Sequence, residues 1–191
     1  MNRTLALAIA FWSGASLAAD IAPRSAVVDS GLSLRGFYGG IAAGAQVMYF
    51  GWASGPAYDF EARAGYSFGP EWQLYLSGVF DGSQFGTTPA ASVNTQFVTS
   101  AQIAVFLQHH FVVRPAVMVY ARGGLGVAIS SSYAPADGFG FGGAGGVGVE
   151  IRLGKRVFFA PELLFRLSSL SAQGYSDSYH LFGIQLGLVY Y

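Results

Sequence analysis

The chain has 191 residues, of which 52% are hydrophobic, 16% aromatic and only 10% charged, with a formal net charge of +0. A soluble domain carries about 25% charged residues, so this composition argues against a water-facing surface, and the neutral balance offers no basic face for nucleic acid. Cysteine is absent, which removes disulfides, thiolate metal sites, cysteine nucleophiles and the lipid anchor of a bacterial lipoprotein.

Residues 1–19 read as an export signal peptide. Arg3 supplies the positive charge, Leu5 through Trp12 the short apolar core, and Ser16-Leu17-Ala18-Ala19 a small-residue cleavage site. The apolar core is too short to serve as a spanning anchor helix. Downstream, no uninterrupted apolar run reaches about 18 residues, so a helical membrane span is excluded. Residues 20–33 lack sustained alternation and read as a periplasmic leader.

From residue 34 onward the chain divides into eight candidate strands, over 34–49, 58–69, 72–81, 95–110, 116–130, 139–153, 156–169 and 178–191. The second and third carry the clearest signal. Tyr58, Phe60, Ala62, Ala64, Tyr66 and Phe68 share one parity, against Asp59, Glu61, Arg63 and Ser67 on the other. After Gly69-Pro70-Glu71 the pattern resumes with Trp72, Leu74, Leu76 and Phe80 against Gln73, Tyr75, Ser77 and Asp81. Period-2 alternation gives a strand two unlike faces. An apolar face with aromatics at its ends and smaller residues between them fits a strand that crosses a bilayer between two aromatic girdles. The same alternation continues to the last strand, where Phe182, Ile184, Leu186, Leu188 and Tyr190 oppose Gln185.

Connection lengths set the expected topology. The turns around 69–71, 114–115 and 154–155 are short, whereas the connections near 50–57, 82–94, 131–138 and 170–177 read as longer and are rich in Gly, Ser, Ala, Pro and Asp. Short periplasmic turns and longer external loops are the habit of outer-membrane barrels. An even strand count returns both termini to the periplasm and leaves loops 82–94 and 131–138 as outward contact surfaces. The expected fold is an all-β, eight-stranded, antiparallel up-and-down transmembrane β-barrel over residues 34–191. Such a closed barrel has no edge that demands a partner, so a monomer is expected.

Energetics decide which parity faces lipid. An arginine at mid-bilayer on the lipid face costs about 2–4 kcal/mol, and Arg63, Arg122 and Arg166 all share the polar parity. The polar face is therefore the lumen. An eight-stranded barrel is just wide enough for side chains to fill. Buried charges must pair, so Asp59, Glu61, Arg63, Arg122, Glu150, Arg152, Glu162 and Arg166 are expected to form a structural ion-pair network, with partners that alternation alone does not name. The sixth strand offers only Gly140, Gly142, Ala144, Gly146 and Gly148 to the lumen over this stretch. These small residues either leave a narrow cavity or receive large side chains from across the barrel. Pro161 interrupts the seventh strand, for which a local bulge is the simplest remedy.

With this alternation, loop asymmetry and aromatic C-terminus, residues 34–191 resemble the small eight-stranded outer-membrane β-barrel proteins of the OmpA, OmpX and opacity-protein type. The most specific part of the likeness is Gly183-Ile184-Gln185-Leu186-Gly187-Leu188-Val189-Tyr190-Tyr191. The resemblance implies that Gly187, Tyr190 and Tyr191 belong to a C-terminal signal read by the barrel-assembly machinery. Val189 stands where that signal usually has an aromatic. Barrels of this architecture serve several functions.

Other motifs carry little chemistry. Gly140-Phe141-Gly142-Gly143-Ala144-Gly145 fits a dinucleotide-binding pattern in letters only, since it lies within a strand rather than opening a helix. Ser178 and His180 share a face near Asp177, yet residues two apart on a strand lie about 7 Å apart, too far for direct proton transfer. His109 and His110 point to opposite faces and cannot share a metal, and no acid–histidine set has ligand spacing. The expectation is therefore an outer-membrane protein with a structural or surface-interaction role, no enzymatic activity, no cofactor and no metal. Its partners would be outer-membrane lipids and the assembly machinery, with no nucleic acid. The alternatives are a narrow channel for small or apolar solutes, a lipid-modifying hydrolase built around His180, and a soluble exported barrel with an internal ligand.

Overall fold

A computed structural model describes residues 34–50, 53–86, 95–131, 138–172 and 175–191. The signal peptide, the leader and the connections 87–94 and 132–137 fall outside the described residues. Eight strands follow one another: β1 (Gly36–Phe50), β2 (Ala53–Ser67), β3 (Trp72–Gly86), β4 (Thr95–Val113), β5 (Val117–Ser131), β6 (Gly138–Arg152), β7 (Val157–Ala172) and β8 (Tyr175–Tyr190). Each pairs antiparallel with the next, and β8 pairs with β1 to close the barrel.

Parity placed all eight strands, but several run longer than expected. The stretches near 50–57 and 170–177, read as connections, are mostly strand, with only 51–52 and 173–174 between the paired segments. Ser54, Gly55 and Pro56 have turn-like composition, yet β1 offers them a continuous ladder through Tyr49, Met48 and Val47. Tertiary pairing overrides local preference there. The opposite end has the expected tight turns. Phe68 N–H donates to Trp72 O at 2.9 Å, Leu153 N–H to Val157 O at 2.9 Å, and Arg114 and Val117 exchange backbone bonds of 3.0 and 3.3 Å. We call this the turn end and the other the loop end.

Two irregularities matter. A register shift between His110 and Val112 places a bulge in β4 against β5. The bulge expected at Pro161 is absent. Pro161 pairs with Leu186 of β8, and the β6–β7 ladder lapses between the Gly148–Glu162 and Ile151–Phe159 pairs without changing register. The lapse in the ladder toward β6 accommodates the missing N–H without an inserted residue.

The outward parity is apolar throughout. Phe37, Tyr66, Phe68, Trp72, Phe111 and Tyr190 ring the turn end, and Tyr49, Tyr58, Phe139 and Phe141 lie toward the loop end, all exposed. Between them Leu76, Ile103, Val105, Leu125, Leu163 and Ile184 are exposed aliphatics. The inward parity buries Asp59, Glu61, Arg63, Asp81, Arg122, Glu162 and Arg166 between two apolar clusters. Toward the turn end are Tyr38, Tyr75, Phe106, Met118, Phe158 and Tyr191. Toward the loop end are Met48, Val98, Leu170, Tyr179 and Leu181.

Placing an arginine on the outward face tests this assignment. Ile103→Arg should lower the unfolding free energy in lipid vesicles by about 2–4 kcal/mol, read by denaturant titration. A water-facing Ile103 would tolerate the change with a loss of no more than about 0.5 kcal/mol.

Candidate functional site

The inward charges form one connected layer. Arg122 of β5 is its centre: it projects across the lumen, and all five of its N–H groups find acceptors. Its Nε donates to Glu162, Nη1 to Glu61 Oε1 at 2.6 Å and to the Tyr75 hydroxyl at 3.1 Å, and Nη2 to Glu61 Oε2 at 2.9 Å and Gln185 Oε1 at 3.2 Å. The guanidinium also lies 4.8 Å from the Phe106 ring centroid, a cation–π arrangement. Its bidentate grip on Glu61 is the strong form of a charge-assisted pair. Ser77 Oγ at 2.7 Å completes Glu61, and the Tyr120 hydroxyl at 2.9 Å completes Glu162.

Arg166 of β7 resolves a conflict built into the sheet. Asp59 and Asp81 are direct register partners on β2 and β3, and like charges directly opposite are destabilising. Arg166 reaches both, with Nη1 on Asp81 at 2.5 Å and Nη2 on Asp59 at 2.8 Å. Gln185 Nε2 adds a 2.7 Å bond to Asp59, and Ser100 Oγ a 3.3 Å bond to Asp81. Arg63 joins the layer more loosely, at 3.4 Å from both Glu61 and Glu162.

Glu150 sits apart, among the turn-end aromatics. Gln108 Nε2 lies 3.0 Å from it, His110 Nε2 3.2 Å, and the Tyr191 hydroxyl donates to it. Gln73 in turn donates to the Tyr191 hydroxyl. The Tyr191 ring packs on Tyr38 and Phe158 with centroids 5.3 and 5.2 Å away. The last residue of the chain is thus fastened inside the barrel, while Tyr190 points outward and Gly187 packs against Ala42 across the β8–β1 seam.

Of the expected network, Asp59, Glu61, Arg63, Arg122, Glu162 and Arg166 come together, and Glu150 forms its own cluster. Arg152 does not join. It shares the parity of Glu150 but lies at the last position of β6, beyond the end of the lumen, where its exposed guanidinium donates to backbone carbonyls of Gly154, Pro115 and Lys155. Alternation reports a face, not a depth. Asp81, Gln185, Gln108, His110 and Tyr191 are participants that were not expected. All five lie on the polar parity, Tyr191 on that of Gln185, so their presence in the lumen was legible, but their partners depend on cross-barrel register.

The glycines of β6 receive side chains. A Cβ at Gly146 would collide with the Glu162 carboxylate, and one at Gly148 would lie 2.6 Å from the Tyr120 hydroxyl. Gly142 faces Gln102 and Ser168 in the same way. On the outer surface, His180 stacks on Phe165 at 6.5 Å and Ser178 is exposed on the same face. Among the described residues, no group of three or more metal-ligating side chains is assembled.

No family model and no curated protein matches the chain. Among solved structures it is similar to Neisserial surface protein A (NspA), with a TM-score of 0.57 at 14% identity over 81% of this chain and 96% of that one. It is also similar to the outer membrane enzyme PagL, with a TM-score of 0.54 at 15% identity over 78% of this chain and 97% of that one. What is shared at these identities is the fold. The chain has the architecture of the small eight-stranded outer-membrane β-barrels.

Space for the charged layer is specific to the glycines that border it. Gly146→Ala should cost about 1–3 kcal/mol through overpacking against a pinned carboxylate. Gly78→Ala, where a Cβ meets nothing within 4 Å, should be neutral or slightly stabilising. Urea midpoints of the two variants in the same vesicles check the contrast.

Proposed function

We propose that the protein is exported through its N-terminal signal peptide and inserted in a bacterial outer membrane as a monomeric barrel. Its lumen is closed by its own side chains, and its role is structural or surface-interacting. The observation that carries this reading is the charged layer around Arg122, held between two apolar clusters. An ion entering from either end meets buried aromatic or aliphatic side chains before reaching a charge, and each charge it meets already has a partner. In this orientation the turn end and both termini are periplasmic. The connections within 82–94 and 131–138 face outward as the contact surfaces. The C-terminal strand is the segment offered to the assembly machinery, with Tyr190 as its accessible aromatic, since Tyr191 is buried.

The channel alternative rested on the glycines of β6, and these are occupied by Glu162, Tyr120 and Gln102. PagL is described as an enzyme, which keeps the hydrolase alternative in view. On this chain Ser178 and His180 share the outward face, whereas the carboxylates of Asp59, Glu61, Asp81, Glu150 and Glu162 are buried in the lumen. The acid that would orient the imidazole, the third member that such chemistry uses, is not among these lumen carboxylates. The structural reading is therefore the better supported.

Planar-bilayer recording of protein shown to be folded by its heat-dependent gel shift tests the proposal. No discrete openings are expected at 1 M salt. Reproducible unitary conductance would overturn the closed lumen and put the channel in its place.

A further inference from the structure

We infer that the turn-end rim is a binding surface for acidic phospholipid headgroups, of the phosphatidylglycerol or cardiolipin kind. The inference rests on the reading of the chain as a membrane-spanning barrel. Outside the lumen, every described cation lies at this end: Arg35 before β1, Arg114 in the β4–β5 turn, Arg152 at the end of β6, and Lys155 and Arg156 in the β6–β7 turn, all exposed. One side-chain carboxylate, Glu71 in the β2–β3 turn, shares the rim. The loop half offers no counterpart, since the segments 44–58, 79–103, 126–142 and 167–184 contain no lysine or arginine.

The cations form an arc rather than a scatter. Arg152 N–H donates to Ala116 O at 2.9 Å and its guanidinium reaches Pro115 O, so the β4–β5 and β6–β7 turns lie side by side. Arg156 O accepts from Tyr191 N–H at 3.1 Å, which carries the arc to the end of β8 and, through the β8–β1 seam, towards Arg35. Among the described residues none of these cations has a carboxylate within 4.0 Å, whereas Arg63, Arg122 and Arg166 in the lumen are all paired. Arg152 is occupied by carbonyl oxygens, which leave its charge uncompensated.

Depth completes the argument. Phe37 follows Arg35 by two residues, Phe111 precedes Arg114 by three, and Leu153 and Val157 flank Lys155 and Arg156, all four being exposed apolar side chains on the lipid face. The cations therefore stand just beyond the hydrocarbon, at the level of headgroup phosphates. Cations at that level are attracted to an anionic leaflet, additively and in a salt-dependent way.

The test uses spin-labelled phosphatidylglycerol and phosphatidylcholine with the full chain folded into phosphatidylcholine vesicles. Electron spin resonance of the motionally restricted component gives the relative association constant. The parent should prefer phosphatidylglycerol by about threefold or more at low salt. The preference should fall to near unity in the Arg114→Gln/Lys155→Gln/Arg156→Gln variant and in 1 M salt, and rise in Glu71→Gln. A folded parent without preference, as expected if the rim serves a soluble polyanion instead, overturns the inference. So does a preference that survives the triple substitution. Failure to insert or to show any restricted lipid would instead sink the barrel reading itself, so the two failures are distinct.

Discussion

Three guanidinium groups enclosed in a lumen about one side chain wide constrain this molecule more than any other feature. A buried charge left alone costs several kcal/mol, so each arginine fixes the positions of the groups that satisfy it. Ladder hydrogen bonds join only neighbouring strands. Arg122 of β5 instead binds Glu61 of β2, Glu162 of β7 and Gln185 of β8, and Arg166 of β7 binds the β2 and β3 aspartates. These contacts run across the barrel and determine which strands stand opposite one another. The bordering glycines follow from them, because Glu162 and Tyr120 occupy the volume that a side chain at Gly146 or Gly148 would take.

The same requirement accounts for how charge is distributed. Inside, five carboxylates meet three arginines and His110, and the acidic surplus is carried by neutral donors such as Ser77, Ser100, Tyr120 and Gln108. Outside the lumen the balance reverses at the turn-end rim, where the cations have no carboxylate partner among the described residues. Between girdles, the outer wall has no charge at all among the described residues. A formal net charge of zero thus conceals a separation into an acidic interior, an uncharged wall and a basic rim.

Much of this was legible in the sequence. Period-2 alternation located eight strands, the lipid face and six of the eight residues named for the central layer. It misjudged strand ends, because Ser54, Gly55 and Pro56 have turn composition but sit against a waiting β1 edge. It also assigned Arg152 to the lumen, since parity repeats along a strand while the lumen ends. Partner identity was the information missing throughout. The Asp59–Asp81 opposition depends on the β2–β3 register, and the grip of Arg122 on Glu61 depends on barrel closure. Tyr191 keeps the inward parity of Gln185, but its hydrogen bond to Glu150 depends on β6 standing across the lumen from the end of β8.

The central claim is that Arg122 is held by Glu61 and Glu162 across the lumen. A mutant cycle on these three positions, read by denaturant unfolding in vesicles, measures it most directly. Arg122→Met alone should destabilise by about 3–5 kcal/mol, because two buried carboxylates lose their closest cation and keep only the looser Arg63. Adding Glu61→Gln and Glu162→Gln should recover at least about 2 kcal/mol of that loss, a non-additivity expected only of groups in contact. Additive losses across the cycle would mean that the three groups do not meet, and would contradict the account.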